Sequence, residues 1–189
     1  MKPYLIIALL LLLLASSVSS ASAQTATAAE KEAARIATRE KLRTLLQTSG
    51  PKKGINIAFR QSTKEPFNFV GMLSDSELKN ADSYEVVVGV SKDETIGFRI
   101  YPHYKGTYIN VNRAKDSTAL MRQLLNLSDK NFLFWGMDGT GDIFAGYTFT
   151  LESGFPDKAI EIVLYSVRPL DKYVGDMRPA VDGSVAPAD

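Results

Sequence analysis

Between positions 84 and 111 apolar residues recur at every second position, and this pattern leaves few folds open to the chain. A period of two places alternate side chains on one side of an extended strand, so each run predicts a half-buried β-strand. Lys92-Asp93 separates the first run from the second, and a turn over Pro102–Gly106 separates the second from the third. Three such strands predict an antiparallel meander with one apolar face. Its inward-pointing residues are expected to include Ile96, Phe98, Ile100, Ile109 and Val111.

Two pairs of shorter strands flank the meander in the sequence. Before it, residues 55–59 and 67–69 alternate in the same way and predict a hairpin. The polar stretch Ser74–Asp82 that follows is expected to form one helical turn. After the meander, Phe132–Met137 and Ile143–Leu151 predict a second hairpin. Its connection contains Asp138-Gly139, and Asp-Gly favours the turns that close hairpins.

Three segments have the composition and period of helices. Thr25–Thr48 consists mostly of strong helix formers and is followed by Gly50-Pro51, which stops a helix. The second helix is predicted with Ser117 as its N-cap, and the third begins near Pro156-Asp157 and is kinked or broken at Pro169. We therefore predict an α+β fold, an antiparallel sheet with helices packed on one face.

The first 23 residues predict a signal peptide rather than part of the fold. Lys2 is followed by twelve apolar residues, Tyr4–Ala15, and Ala21-Ser22-Ala23 has the small residues expected before a cleavage site. A bilayer span needs about 20 apolar residues. The alternative is an uncleaved segment that anchors the protein to the membrane. Cleavage predicts a periplasmic or secreted protein without membrane attachment.

The remainder is expected to form an N-terminal helix over residues 24–50, one α+β domain over 51–177 and a flexible tail over 178–189. Its charge balance argues against polyanionic partners. The chain has 22 Lys and Arg against 21 Asp and Glu, and cleavage removes one basic residue, Lys2, which leaves the two signs equal. Nucleic acids and anionic membranes attract proteins with a basic excess. We therefore predict no nucleic-acid partner.

The lack of Cys and the single His exclude whole classes of chemistry. No disulfide, thiolate metal site or cysteine nucleophile can form. One His leaves too few ligands for an ordinary zinc site, and no Gly-x-Ser-x-Gly motif accompanies it. His103 itself is expected to lie on an exposed turn. We predict neither a metal nor another cofactor.

Acidic residues offer two further interpretations. Asp138 and Asp142 could share a calcium ion, but the twelfth position from Asp138 is Phe149, where calcium loops carry a Glu. A hairpin turn is therefore favoured. Catalysis by an acid pair requires two carboxyl groups that converge in a cleft, for which the candidates are Glu85, Glu152 and Glu161. Nothing in the sequence indicates convergence, and we predict that the protein is not an enzyme.

The outward side of the meander has the composition of a recognition surface. Tyr and Arg are enriched at the energetic centres of protein interfaces. The alternative is a second packed face, covered by the N-terminal helix or by the first hairpin. Trp135 is expected in the core. The candidate interaction face consists of Arg99, Tyr101, Tyr108, Asn110 and Asn112.

The second half of the chain also carries a family resemblance. Its residues are Leu124-Leu125-Asn126-Leu127, Asn131–Trp135, the Asp138-Gly139 turn, Tyr147–Glu152 and the helix from Asp157. Over about residues 84–177 these resemble the YbjN family, which is similar in fold to the class I chaperones of type III secretion. The resemblance implies a sheet with flanking helices, a tendency to dimerise, and a role in holding other polypeptides rather than transforming a substrate.

Together these observations lead to one functional expectation and one alternative. We expect an exported, non-enzymatic protein-binding or chaperone-like module of the bacterial periplasm, whose partner is another envelope or exported protein. The alternative is an envelope protein that binds a small molecule in a pocket between helices and sheet.

Overall fold

The structure is a computed structural model and describes residues 27–92, 95–150 and 157–185. The chain divides into two compact units, residues 1–31 and 32–189. Two 3₁₀ turns, Val111–Arg113 and Arg168–Leu170, accompany the longer elements. The helices are α1 (Ala28–Ser49), α2 (Ser117–Lys130), α3 (Asp157–Tyr165) and α4 (Asp171–Val181). The strands are β1 (Ala58–Gln61), β2 (Asn68–Leu73), β3 (Ser83–Val90), β4 (Thr95–Tyr104), β5 (Thr107–Tyr108), β6 (Phe134–Met137) and β7 (Ile143–Thr150).

The strands form one antiparallel sheet in the order β1–β2–β3–β4–β7–β6, and β5 pairs with β4. The predicted alternation sets its register, because Val86 pairs with Ile100 and Val88 pairs with Phe98. One side of the sheet is therefore continuously apolar. The crossover from β4 to β7 passes through α2 and the β6–β7 hairpin, so β4 lies at the centre of the sheet.

The helices cover the apolar side of this sheet, as predicted. Their buried residues and the inward residues of the strands belong to a single cluster, which also contains Trp135. Ile109 and Val111 are buried as expected, although they follow β5 rather than extend it. The fold is therefore α+β with the helices on one face. The helices contribute Leu42, Leu46, Leu120, Leu124, Ile160, Val163, Val174 and Met177 to the cluster.

Local signals fix both ends of α1. The N–H of Thr27 donates to the Glu30 carboxylate at 2.7 Å, and the N–H of Glu30 donates to the Thr27 hydroxyl at 3.3 Å, which is a capping box. The helix stops at Gly50, as predicted. A Cβ on Gly50 would collide with the Ile57 carbonyl oxygen, so only glycine permits the chain to turn into the sheet here.

The predicted turn after the second meander strand was placed too early. β4 continues to Tyr104, and the reversal takes only Lys105 and Gly106, whose φ angles are 54° and 75°. Two successive residues with positive φ are typical of the type I′ turn, which suits the twist of a hairpin. His103 therefore lies within β4 and not on an exposed turn. The error arose because Pro102 resembles a turn residue, yet it occupies a strand.

Three other boundaries differ from the predictions. Asp116, not Ser117, caps α2: its carboxylate accepts the N–H of Ala119 at 2.8 Å, while the Ser117 hydroxyl donates to the Val111 carbonyl. Residues 74–82 form turns rather than a helical turn. Residues 178–181 were assigned to a flexible tail but continue α4, because Ala180 is buried in the core.

Some predictions fall on residues that the structure does not describe. These are the signal peptide over residues 1–23, the end of the second hairpin at Leu151, the start of the third helix at Pro156, and residues 186–189 of the tail. The break at Pro169 lies within the described residues and is confirmed: a 3₁₀ turn over Arg168–Leu170 separates α3 from α4.

Candidate interaction face

The side of the sheet opposite the helices carries the candidate interaction face. Its cross-strand neighbours follow from the register: Arg99 on β4 pairs with Val87 on β3 and with Gly146 on β7. Gly146 in turn pairs with Phe134 on β6. Arg99, two apolar neighbours and an aromatic ring therefore form one row across four strands.

An aromatic cluster borders Arg99. The ring centroid of Tyr101 lies 5.7 Å from that of Tyr108 and 5.6 Å from that of Phe144. His103 packs edge-on against Tyr108, with 4.3 Å between the centroids. Because of these contacts Tyr101 is only 9% exposed, although it points away from the helices. The two tyrosines predicted for the face are thus in contact, and with Phe144 and His103 they form an aromatic wall.

Burial controls the ionisation of both tyrosines. It raises the pKa of Tyr101, and the neighbouring Arg99 guanidinium opposes this by favouring the phenolate. Burial, followed by repulsion from the Glu85 carboxylate, raises the pKa of Tyr108 to about 12. Both phenols are therefore neutral hydrogen-bond donors at physiological pH.

Arg99 is an exposed cation of this surface. Its guanidinium carbon lies 4.9 Å from the ring centroid of Phe144, a cation–π distance. Among the ion pairs formed within the described residues, none involves Arg99. The ring contact orients the side chain but leaves its positive charge without a neutralising carboxylate.

A trough runs beside Arg99 across the open face. Its volume is about 630 Å³, and residues of β2, β3, β4, β7 and β6 line it. Side chains at its two ends include Arg35 of α1 and Phe134 of β6. At Gly97 the floor of the trough is formed by the backbone of β4, whereas the Asn68 amide lies over its cross-strand partner Gly89.

Asn110 and Asn112 do not line this trough. The Asn110 amide donates to the Thr140 carbonyl at 3.0 Å and to the Asp142 carboxylate at 2.7 Å, and its oxygen accepts the N–H of Asn112. The Asn112 amide also donates to the Thr140 carbonyl, at 3.3 Å. The two amides therefore bind the β6–β7 connection and fix its position against the 3₁₀ turn over Val111–Arg113.

The carboxylates of the β6–β7 connection accept hydrogen bonds from within the same connection. Asp138 accepts hydrogen bonds from the N–H and hydroxyl of Thr140 and from the N–H of Asp142. Burial disfavours the charged form of Asp138, but these donors together lower its pKa. The acids organise a hairpin turn, as predicted. In the described part of the chain, no three His, Cys, Asp or Glu side chains are grouped to hold a metal ion.

The other candidate acids lie apart. Glu85 is on the open face near Tyr108, whereas Glu161 on α3 forms an ion pair with Lys52 at 2.6 Å. Glu152 lies outside the described residues. The two described acids belong to different surfaces and are engaged with different partners.

Sequence reasoning missed Phe134, Phe144 and Gly97 as parts of this surface. Phe134 and Phe144 were included only as members of the two strands of the second predicted hairpin, and Gly97 only as part of the second run of the meander. The period-two pattern carried the relevant signal for Phe144, since Ile143 and Ala145 are its inward neighbours. The adjacency of β4 and β7 could not be deduced from that pattern.

Comparisons with known proteins gave one structural similarity. No family model matches the chain, and no curated protein matches its sequence. A chain of the ExsC–ExsE complex, known from a crystal structure, is similar with a TM-score of 0.48. The two chains are 15% identical, and the match covers 77% of this chain and 98% of the other. The specific resemblance to the YbjN family stays a prediction.

The helices were also compared with the requirements of a membrane span. Within residues 27–92, 95–150 and 157–185, none is both long and apolar enough to cross a bilayer.

Proposed function

We propose that this protein is a non-enzymatic, chaperone-like module that binds polypeptides on the open face of its sheet. The observation that carries the proposal is the trough beside Arg99. It combines an exposed guanidinium that forms no ion pair with the described residues, an aromatic wall and a floor that is open at Gly97. Arg, Tyr and Trp are enriched among the residues that dominate binding at protein interfaces, and a glycine in a strand permits the close approach of another backbone.

The shape of the trough favours a polypeptide over a small molecule. Small ligands bind in concave sites that bury most of their surface. This trough instead has lining residues from five neighbouring strands, which are separated by about 4.8 Å each, so its length is roughly 19 Å. About six residues of extended chain, at roughly 3.3 Å each, cover that distance.

The chemical groups that would suggest catalysis have structural partners. His103 packs on Tyr108, Asp138 organises a turn, and Glu161 neutralises Lys52. These contacts support the non-enzymatic part of the proposal. The apolar segment over residues 1–23 supports its cellular part, a location in the periplasm or outside the cell and a partner among envelope or exported proteins.

A peptide-binding assay tests the proposal. The probes are capped, fluorescein-labelled heptapeptides made of β-branched residues with one Phe and with Glu, Gln or Lys at one position. Fluorescence anisotropy measures their dissociation constants for the wild-type protein and for Phe134→Ala. We expect binding of at least one peptide and an increase in its Kd of about tenfold or more in the variant, equivalent to about 1.4 kcal/mol.

Phe132→Ala provides the matched control. Phe132 is 56% exposed and packs on Tyr147, outside the trough, so its removal leaves the Kd unchanged. Failure of every peptide to bind the wild-type protein contradicts the proposal. If fragments then shift the NMR signals of Arg99 and Tyr101, the trough instead binds a small molecule. The tendency to dimerise that the family resemblance implies is tested separately, by light scattering of the purified protein.

A further inference from the structure

Gly97 is a glycine that the fold itself does not require. It lies in the interior of β4, pairs with Gly89 and Thr148, and has no positive φ angle. A Cβ added there would meet only the Thr148 hydroxyl, at an ordinary distance of 3.9 Å. Among the described residues, nothing therefore prevents a Cβ at position 97, although glycine is disfavoured in strand interiors.

The neighbouring glycines differ in this respect. A Cβ on Gly89 would collide with the amide of Asn68, and a Cβ on Gly146 would collide with the ring of Phe134. Those two glycines make room for side chains of the same protein. No side chain of the described residues fills the space above Gly97, and this space is part of the trough.

Arg99 lies two residues further along β4, on the same face as Gly97. Residues i and i+2 of a strand are separated by about 6.6 Å and point in the same direction. A group that lies over Gly97 is therefore next to a guanidinium that forms no ion pair with the described carboxylates. Two further contacts border this position: the Phe144 ring, which orients Arg99, and the Tyr101 phenol.

We infer that the backbone of a bound extended segment passes over Gly97 and that an acidic group of this segment pairs with Arg99. Glycine in a strand permits close approach of another backbone. An arginine that is already oriented by an aromatic ring suits bidentate pairing with a carboxylate. The inference rests on the proposed function and adds to it the chemistry of the partner, an extended acidic polypeptide.

The experiment uses the full chain and the heptapeptide probes described above. Gly97→Val fills the trough above β4 and introduces a strong β-former, and Gly97→Ala adds the Cβ alone. We expect Gly97→Val to raise the Kd of the Glu peptide about tenfold or more, with an unchanged or higher Tm. Gly139→Ala is the control, since a Cβ on this turn residue has no atom within 4 Å and does not reach the trough.

Charge reversal tests the second half of the inference. Arg99→Glu is expected to weaken binding of the Glu peptide and to strengthen binding of the Lys peptide, relative to wild type. Arg60→Glu is the matched control. Arg60 is an exposed arginine on β1, at the opposite end of the open face, and it does not line the trough.

The outcomes separate this inference from the proposed function. If Phe134→Ala weakens binding but Gly97→Val binds as wild type, the protein binds peptides by a path that avoids Gly97, and the inference is wrong. The same holds if both substitutions at position 97 lower the Tm, because the glycine then serves the fold. If Arg99→Glu and wild type prefer the Glu peptide to the same degree, Arg99 does not pair with an acidic group of the partner, and that half of the inference is wrong. Absence of binding by wild type overturns both.

Discussion

Ser128 on α2 binds the backbone of Trp135 at the outer edge of the sheet. The Ser128 Oγ accepts the N–H of Trp135 at 2.7 Å and lies 3.3 Å from its carbonyl oxygen. The same hydroxyl lies 2.9 Å from the carbonyl oxygen of Leu124. β6 is the last strand of the sheet, and free N–H and C=O groups at such an edge invite pairing with another chain. A helix side chain therefore occupies the polar groups of this edge at Trp135.

We expect Ser128→Ala to lower the free energy of unfolding by about 1–3 kcal/mol, because the Trp135 N–H loses its acceptor in a half-buried position. Urea denaturation measures the change. Thr118→Ala, an exposed hydroxyl on the same helix, should alter stability by less than about 0.5 kcal/mol. Equal effects of the two substitutions would contradict this role of Ser128.

Asp171 at the start of α4 holds the chain that leads into β3. Its carboxylate accepts the backbone N–H groups of Lys79, Asn80 and Ala81 at distances between 2.8 and 3.1 Å. Asp171→Asn replaces one accepting oxygen by a donor that faces other donors. We expect a loss of about 1–3 kcal/mol in the free energy of unfolding, again measured with urea.

The control for Asp171 is Asp176→Asn, at an exposed position of the same helix. It removes the same charge from α4 without removing a backbone contact. A loss of stability as large as that of Asp171→Asn would show that charge on the helix, rather than the three hydrogen bonds, is responsible.

Asp182 connects the end of α4 to the β4–β5 hairpin and makes stability depend on pH. The Lys105 ammonium, the Ser184 hydroxyl and the Ser184 N–H hold the pKa of this carboxyl well below its usual 3.8. A depressed pKa in the folded state stabilises the fold above the unfolded pKa, and this stabilisation disappears as the pH falls through the folded pKa.

We therefore expect Asp182→Asn to be less stable than wild type at neutral pH, with a difference that shrinks as the pH falls below about 4. Urea midpoints measured from pH 7 to pH 2 check this. Asp176→Asn should follow the wild-type curve throughout. A difference between Asp182→Asn and wild type that stays constant over this range would exclude the ionised carboxylate as its cause.

The pKa of Tyr108 leads to a prediction about the interaction face at alkaline pH. Its pKa of about 12 exceeds the ordinary value of 10.0 because of burial first and of Glu85 second. The neutral phenol thus stabilises the fold below the unfolded pKa near 10, and this contribution is lost as the pH rises toward 12. We expect the ¹³Cζ signal of Tyr108 to titrate near pH 12 in NMR spectra.

Glu85→Gln separates the two causes. It removes the charge near Tyr108 but leaves the ring buried, so the pKa of Tyr108 should fall and still exceed 10. Titration of Tyr108 at the ordinary value in the wild-type protein would show that the phenol is solvated and that the aromatic wall is not formed.

Predictions succeeded where a single local signal decided the outcome. The alternation at Val86, Val88, Phe98 and Ile100 placed every one of these residues in the core. The stop at Gly50 was also correct, because the geometry around that glycine excludes any side chain. Boundaries failed where two local signals competed, as at Pro102, whose turn propensity was overridden by pairing with Tyr84.

The predicted interaction face likewise contains residues that the local pattern placed correctly and residues that it did not. Arg99, Tyr101 and Tyr108 share the open side of the sheet, as the pattern indicated. Asn110 was expected to do the same, but it lies beyond β5 and forms an isolated β-bridge with Asp142, so its amide binds the β6–β7 connection. Whether this face binds a partner stays a prediction.

The amino-acid sequence by itself determined the strands, the helices and the side of each element that is buried, because these depend on spacing within a few residues. Only the tertiary structure decided that β7 lies beside β4, which brings Phe144 against Arg99 and leaves open space above Gly97. Contacts between residues some 45 positions apart depend on the packing of whole elements, and no local pattern encodes them.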